Sequence, residues 1–114
     1  MFYLFGIPNC DTVKKARTYL EKKGIVFEFV DFKKTPPTED QIKLWSKSFG
    51  ELPVNKKGQT YKKHAAEYEE LSEKEKVSFI TKNSSMIKRP ILQKDKTVLN
   101  FGFSEEDYKK SLGK

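Results

Sequence analysis

The stretch Phe2-Tyr3-Leu4-Phe5-Gly6-Ile7-Pro8-Asn9-Cys10-Asp11-Thr12-Val13-Lys14-Lys15-Ala16-Arg17 decides the fold. An apolar run with strand character passes through a short turn into a helical pattern. Cys10, the only cysteine among the 114 residues, stands at that junction. A thiol there meets the unpaired backbone N–H groups and the dipole of a helix start, both of which favour negative charge. In such a setting a thiol ionises near neutral pH and becomes a nucleophile. A lone cysteine is otherwise most often a small buried hydrophobe. Pro8, Asn9 and Asp11 are turn and cap formers, and they place the sulfur at the mouth of a loop. Asp11 itself can cap the helix or pair with Lys14 or Lys15, and the sequence leaves that choice open.

Working outward, Met1 to Ile7 reads as a central strand covered on both faces. Val13, Ala16 and Leu20 give the next helix its inner stripe, and Gly24 ends it after Lys22 and Lys23. Ile25 to Phe32 predicts a second strand, which makes a parallel βαβ unit with a right-handed crossover. Pro36 and Pro37 then break the chain. Thr38-Glu39-Asp40-Gln41 matches a capping box, and Ile42, Trp45 and Phe49 form a helix face that stops at Gly50. That face reads as packing and not as a ligand platform. Residues 52–68 show no clean period, and Asn55-Lys56-Lys57-Gly58-Gln59-Thr60 reads as an exposed basic loop. Ser72-Glu73-Lys74-Glu75 is a second capping box, opening a helix with Val77 and Ile80 turned inward. Asn83-Ser84-Ser85 reads as a polar turn.

Met86 to Gln93 leads into a strand, Lys94-Asp95-Lys96 turns, and Thr97 to Phe101 returns as its hairpin partner. Ser104 starts a final helix through Leu112. The order βαβ, helices, ββ, α predicts an α/β, thioredoxin-like fold: a mixed four-stranded sheet built from βαβ and ββα halves. It is expected as one domain over residues 1–114, with a helical insertion at about 33–85.

Composition narrows the function. The net charge is +7, and all but two of the 23 basic residues are lysine. These lysines are scattered without a basic stripe interleaved with aromatics, which argues against nucleic-acid binding. A positive surface still attracts anionic small molecules or acidic partners. No apolar run is long enough to span a membrane. Pro8 and Asn9 interrupt the N-terminal apolar run too early for a signal peptide. One cysteine leaves no internal disulfide framework, so reducing cytoplasm is the expected compartment. His64 is the only histidine, so neither a metal site nor a Cys–His dyad is expected.

In the predicted arrangement the loop after the first strand and the loop before the third meet at one end of the sheet. Cys10 is on the first and Arg89-Pro90 on the second. Pro90 lacks a backbone donor and suits a strand start; the isomer of its peptide bond is not legible from sequence. Arg89 presents a permanently charged planar fork that can stabilise a thiolate and bind an anionic oxygen.

Together these residues resemble the ArsC/Spx family, the arsenate reductase-like branch of thioredoxin-fold proteins. The markers are Tyr3 to Thr12 with Lys14-Lys15-Ala16-Arg17, Asn55-Lys56-Lys57-Gly58, Ile87-Lys88-Arg89-Pro90-Ile91 and Gly102-Phe103-Ser104. The wording around Cys10 and the closing Gly-Phe-Ser are most similar to the YffB subgroup, proposed to be glutathione-dependent thiol reductases. The resemblance implies Cys10 as the redox nucleophile and Arg89 as the oxyanion-binding arginine. Asn9, Thr12, Lys57, Arg89 and Pro90 are then the expected substrate-binding residues. It also implies a small thiol or oxyanion substrate, no bound cofactor, glutathione as co-substrate and glutaredoxin as a recycling partner. Family members that reduce arsenate place three arginines around the oxyanion. Here the middle one appears as Lys57, a point charge and not a bidentate clamp, and Gly102-Phe103 replaces the last. The alternatives are a true arsenate reductase, or an Spx-like transcriptional regulator that binds RNA polymerase. The Spx branch commonly carries a Cys-x-x-Cys switch, whereas this chain has Cys10 and Val13.

Overall fold

A computed structural model of the protein describes residues 1–113. The chain forms two compact units: Met1–Thr35 together with Arg89 onward, and Pro36–Lys88. The first unit holds strands β1 (Phe2–Gly6), β2 (Phe27–Asp31), β3 (Ile91–Lys94) and β4 (Thr97–Phe101), with helices α1 (Asp11–Lys22) and α5 (Glu105–Leu112). The strands lie in the order β2-β1-β3-β4. β1 and β2 are parallel, whereas β1–β3 and β3–β4 are antiparallel. This is the expected mixed four-stranded, thioredoxin-like sheet.

β1 is hydrogen-bonded on both sides, and its Leu4 and Phe5, which point to opposite faces, are 0% and 4% exposed. Its unbroken apolar run is explained by that double burial. On α1, Val13, Ala16 and Leu20 are buried. Ala16 and Leu20 join Leu4, Leu92 and Tyr108 in a fully buried cluster. Each such leucine contributes roughly 1.5–3 kcal/mol by leaving water. Tyr108 anchors α5 by edge-on contacts to Phe103 at 4.8 Å and Tyr19 at 5.8 Å between ring centroids.

β2 is an edge strand: Phe27 and Phe29 pack against the cluster while Glu28 faces solvent. It spans less of the chain than the expected Ile25 to Phe32, and Val26 is 77% exposed. The Arg17 guanidinium lies 4.4 Å from the Phe29 ring centroid, a cation–π cover for this edge.

The second unit carries α2 (Glu39–Phe49), α3 (Gln59–Glu69) and α4 (Glu73–Lys82). Both capping boxes form, Thr38 with Gln41 and Ser72 with Glu75. Ile42 and Trp45 of α2, and Val77 and Ile80 of α4, are buried. α3 corrects the sequence reading, because the expected basic loop becomes helical from Gln59. The helix lacked two signals: its N-cap, Gly58, offers no side-chain cap, and Tyr68 is its one buried residue. Contacts of Tyr68 at 6.0 Å and His64 at 5.6 Å with Phe79 hold it to α4. A two-residue bridge, Val54 with Ile87, was likewise not signalled. Residues 84–86 form a single 3-10 turn. Among the described residues, no helix is long and apolar enough to cross a membrane.

Gly6 closes β1 where α1 comes nearest: a Cβ there would lie 2.8 Å from Val13 Cγ2. Val13 is β-branched and stiff in a helix, so relief must come from moving the start of α1. Gly6→Ala is therefore expected to destabilise by about 1–3 kcal/mol, read as a lower urea midpoint with an unchanged slope.

Candidate functional site

After Gly6 the chain turns once before the helix. The Cys10 N–H donates to the Ile7 carbonyl at 3.2 Å, and the Lys14 N–H donates to the Cys10 carbonyl at 2.9 Å. Cys10 is thus the N-cap of α1, with extended backbone at φ −92° and ψ 126°. Its side chain is half-buried and free of any disulfide. Asn9 and Asp11 beside it are exposed, and Thr12 is half-buried.

The second wall of the site comes from the β1–β3 ladder. Phe5 pairs with Ile91 in antiparallel register, so residues following Phe5 and residues preceding Ile91 emerge at the same end of the sheet. Arg89 and Pro90 occupy the second path. Their peptide bond is cis, and Pro90 is buried. The Gly102 N–H donates to the Pro90 carbonyl at 2.8 Å.

Across this junction the Arg89 guanidinium hydrogen-bonds the Cys10 sulfur. The thiol does not close a conventional cap hydrogen bond, yet the amides of the first helical turn act on it. Burial pushes the Cys10 thiol up. The Val13 amide, the Arg89 guanidinium by hydrogen bond and charge, and the Thr12 amide together outweigh it, and the thiol ionises below its ordinary pH. The helix start and the arginine do the same electrostatic work from two directions. Such a sulfur can attack a disulfide or an oxidised centre as an anion.

Of the residues singled out from sequence, Asn9, Cys10, Thr12, Arg89 and Pro90 belong to the sheet-bearing unit. Lys57 belongs to the helical unit, exposed in the turn before α3, where its N–H donates to Asn55 Oδ1 at 3.2 Å. Two contributors had gone unassigned: the Val13 amide, which has no side-chain signature, and Gly102, which stood only as a family marker. A glycine directly after a strand was the available signal for the latter. Among the described residues, no group of three or more His, Cys, Asp or Glu side chains is placed to hold a metal ion.

A cysteine at the N-cap position of the first helix, with a cis X-Pro bond leading into the strand paired with β1, defines a thioredoxin-like protein with a candidate thiolate centre. The chain belongs to the ArsC family, whose model matches residues 5–111. It is similar to the global transcriptional regulator Spx of Streptococcus mutans, with 28% identity over 115 residues covering 98% of this chain and 83% of the relative. Among solved structures, it is similar to one described as YFFB protein, at 30% identity and TM-score 0.85, covering 98% of this chain and 99% of the other. A possible arsenate reductase from Streptococcus mutans superposes with TM-score 0.77 at 26% identity, covering 94% of this chain and 96% of the other.

Because folding lowers the Cys10 pKa, the thiolate's contribution to stability is full above the ordinary thiol pKa of about 8.5 and is lost as pH falls through the folded value. The alkylation rate of Cys10 by iodoacetamide should follow the same ionisation. In Arg89→Ala the inflexion moves to higher pH. The rate at pH 7 drops by roughly fivefold, as expected for losing a half-exposed, charge-assisted hydrogen bond. An unshifted profile removes Arg89 from the site.

Proposed function

We propose that the protein is a glutathione-dependent monothiol reductase in which the Cys10 thiolate attacks an oxidised substrate and the adduct is resolved by an external thiol. With a glutathionylated substrate, the thiolate attacks the glutathione sulfur of the mixed disulfide. A Cys10–glutathione disulfide forms and the substrate leaves as its thiolate. A second glutathione thiolate then attacks that disulfide, releasing oxidised glutathione and regenerating Cys10. In sum, one free glutathione is consumed: the substrate–glutathione S–S bond is replaced by the S–S bond of oxidised glutathione, and the departing substrate thiolate takes its proton from water. A glutaredoxin serves equally well as the second thiol. An external thiol is required because the chain has no other cysteine.

The observation that carries this reading is the convergence of the α1 amides and Arg89 on one half-buried sulfur. Arg89 holds the incoming anionic group, a carboxylate or an oxyanion oxygen. In this reading Asn9, Thr12 and Pro90 supply the remaining contacts to the substrate. Incubation with oxidised glutathione should add a single glutathione, located on Cys10 by peptide mapping and removed by glutaredoxin. Cys10→Ser should take up none. A wild-type protein left unmodified, or modified elsewhere, overturns the proposal.

The similarity to Spx favours a second reading, in which the chain binds RNA polymerase as a regulator and Cys10 senses oxidation. Val13 stands three residues after Cys10, so such a sensor forms a mixed disulfide and not an internal one. Pulldown with the RNA polymerase α subunit separates the readings. Stoichiometric capture that survives Cys10→Ala favours the regulator, whereas no capture leaves the reductase.

A further inference from the structure

Gly102 lies one residue beyond β4, and its N–H donates to the Pro90 carbonyl at 2.8 Å. Phe101, the residue before it, pairs with Ile91. This bond therefore extends the β3–β4 ladder one step past its last pair, onto the residue that follows Arg89. Gly102 has a φ of +75°, in the left-handed region that glycine enters freely and most residues only at a cost. Pro90 has no N–H to offer, so its carbonyl is the backbone group by which β4 can hold it. The Arg89 side chain, one residue earlier, reaches the Cys10 sulfur.

We propose that Gly102 is a positioning residue for the thiolate centre: its left-handed backbone aims the N–H at Pro90 and so holds the Arg89 guanidinium against Cys10. The proposal rests on the reading of Cys10 as the reactive thiolate. A glycine that only terminated a strand would affect stability and leave the ionisation of Cys10 alone. A positioning glycine moves that ionisation, and does so only through Arg89.

The test is the pH dependence of Cys10 alkylation in the full chain, for wild type, Arg89→Ala, Gly102→Ala, Gly102→Asn and the Gly102→Ala/Arg89→Ala double variant. Gly102→Ala should move the inflexion upward by at least half the Arg89→Ala shift. Asparagine tolerates the left-handed region, so Gly102→Asn should restore most of the wild-type profile. The double variant should match Arg89→Ala, because no guanidinium is left to misplace. A folded Gly102→Ala protein with the wild-type profile overturns the assignment, as does a double variant shifted well beyond Arg89→Ala.

A second readout needs no change at position 102. The Gly102 amide resonance of the wild type should titrate with Cys10 and stop doing so in Arg89→Ala. An amide that stays still across the Cys10 inflexion also overturns the assignment. Identical profiles for wild type and Arg89→Ala would instead remove the role of Arg89 in the proposed function. A difference between those two that Gly102→Ala does not reproduce removes only the positioning role.

Discussion

Phe5 pairs with Ile91 and Leu4 with Leu92 across the β1–β3 ladder, and the chemistry of the sheet-bearing unit hangs on that register. Leu4, Leu92 and Ile91 are completely buried, and Phe5 nearly so. A slip by one residue would turn each side chain of the strand to the other face. The hydrophobic core therefore specifies the ladder strongly. With the ladder set, the turn leaving β1 and the turn entering β3 have one relative placement. A soft, non-directional force thus fixes a directional contact, the guanidinium of Arg89 on the sulfur of Cys10.

The electrostatics of that contact are a balance. Burial works against the thiolate, while the Val13 amide, Arg89 and the Thr12 amide work for it. Burial is the largest single contribution, and only the amides and Arg89 acting together outweigh it; half-burial leaves the sulfur reachable. Deeper burial would raise the cost of the anion, and full exposure would screen the arginine. Gly6 serves the same balance from below, since its missing side chain lets Val13, and with it the first turn of α1, sit close over the end of β1.

Local chemistry made much of the structure legible. The apolar stripe of α1 follows from its own residues. The two capping boxes announced α2 and α4, because a Ser or Thr three residues before a Gln or Glu satisfies backbone groups within one turn. α3 escaped because its stability comes from contacts with α4: Tyr68 and His64 meet Phe79, and no local cap or apolar stripe advertises the helix. The Val54–Ile87 bridge is too short for any periodic signal. Arg17 stood in the sequence only as part of a family marker, and the fold places it over Phe29.

Legible in the residues alone were the strand–turn–helix that makes Cys10 an N-cap, the order of strands and helices, and the placement of Arg89 before a strand-opening proline. These are local features, set by neighbours within a few residues. Tertiary structure alone decided the cis geometry at Pro90 and the Gly102 bond to its carbonyl. It also decided the balance of burial against charge at the sulfur. The contact at the sulfur joins residues 10 and 89, and only the assembled sheet brings them together; the Pro90–Gly102 bond likewise needs β3 and β4 paired.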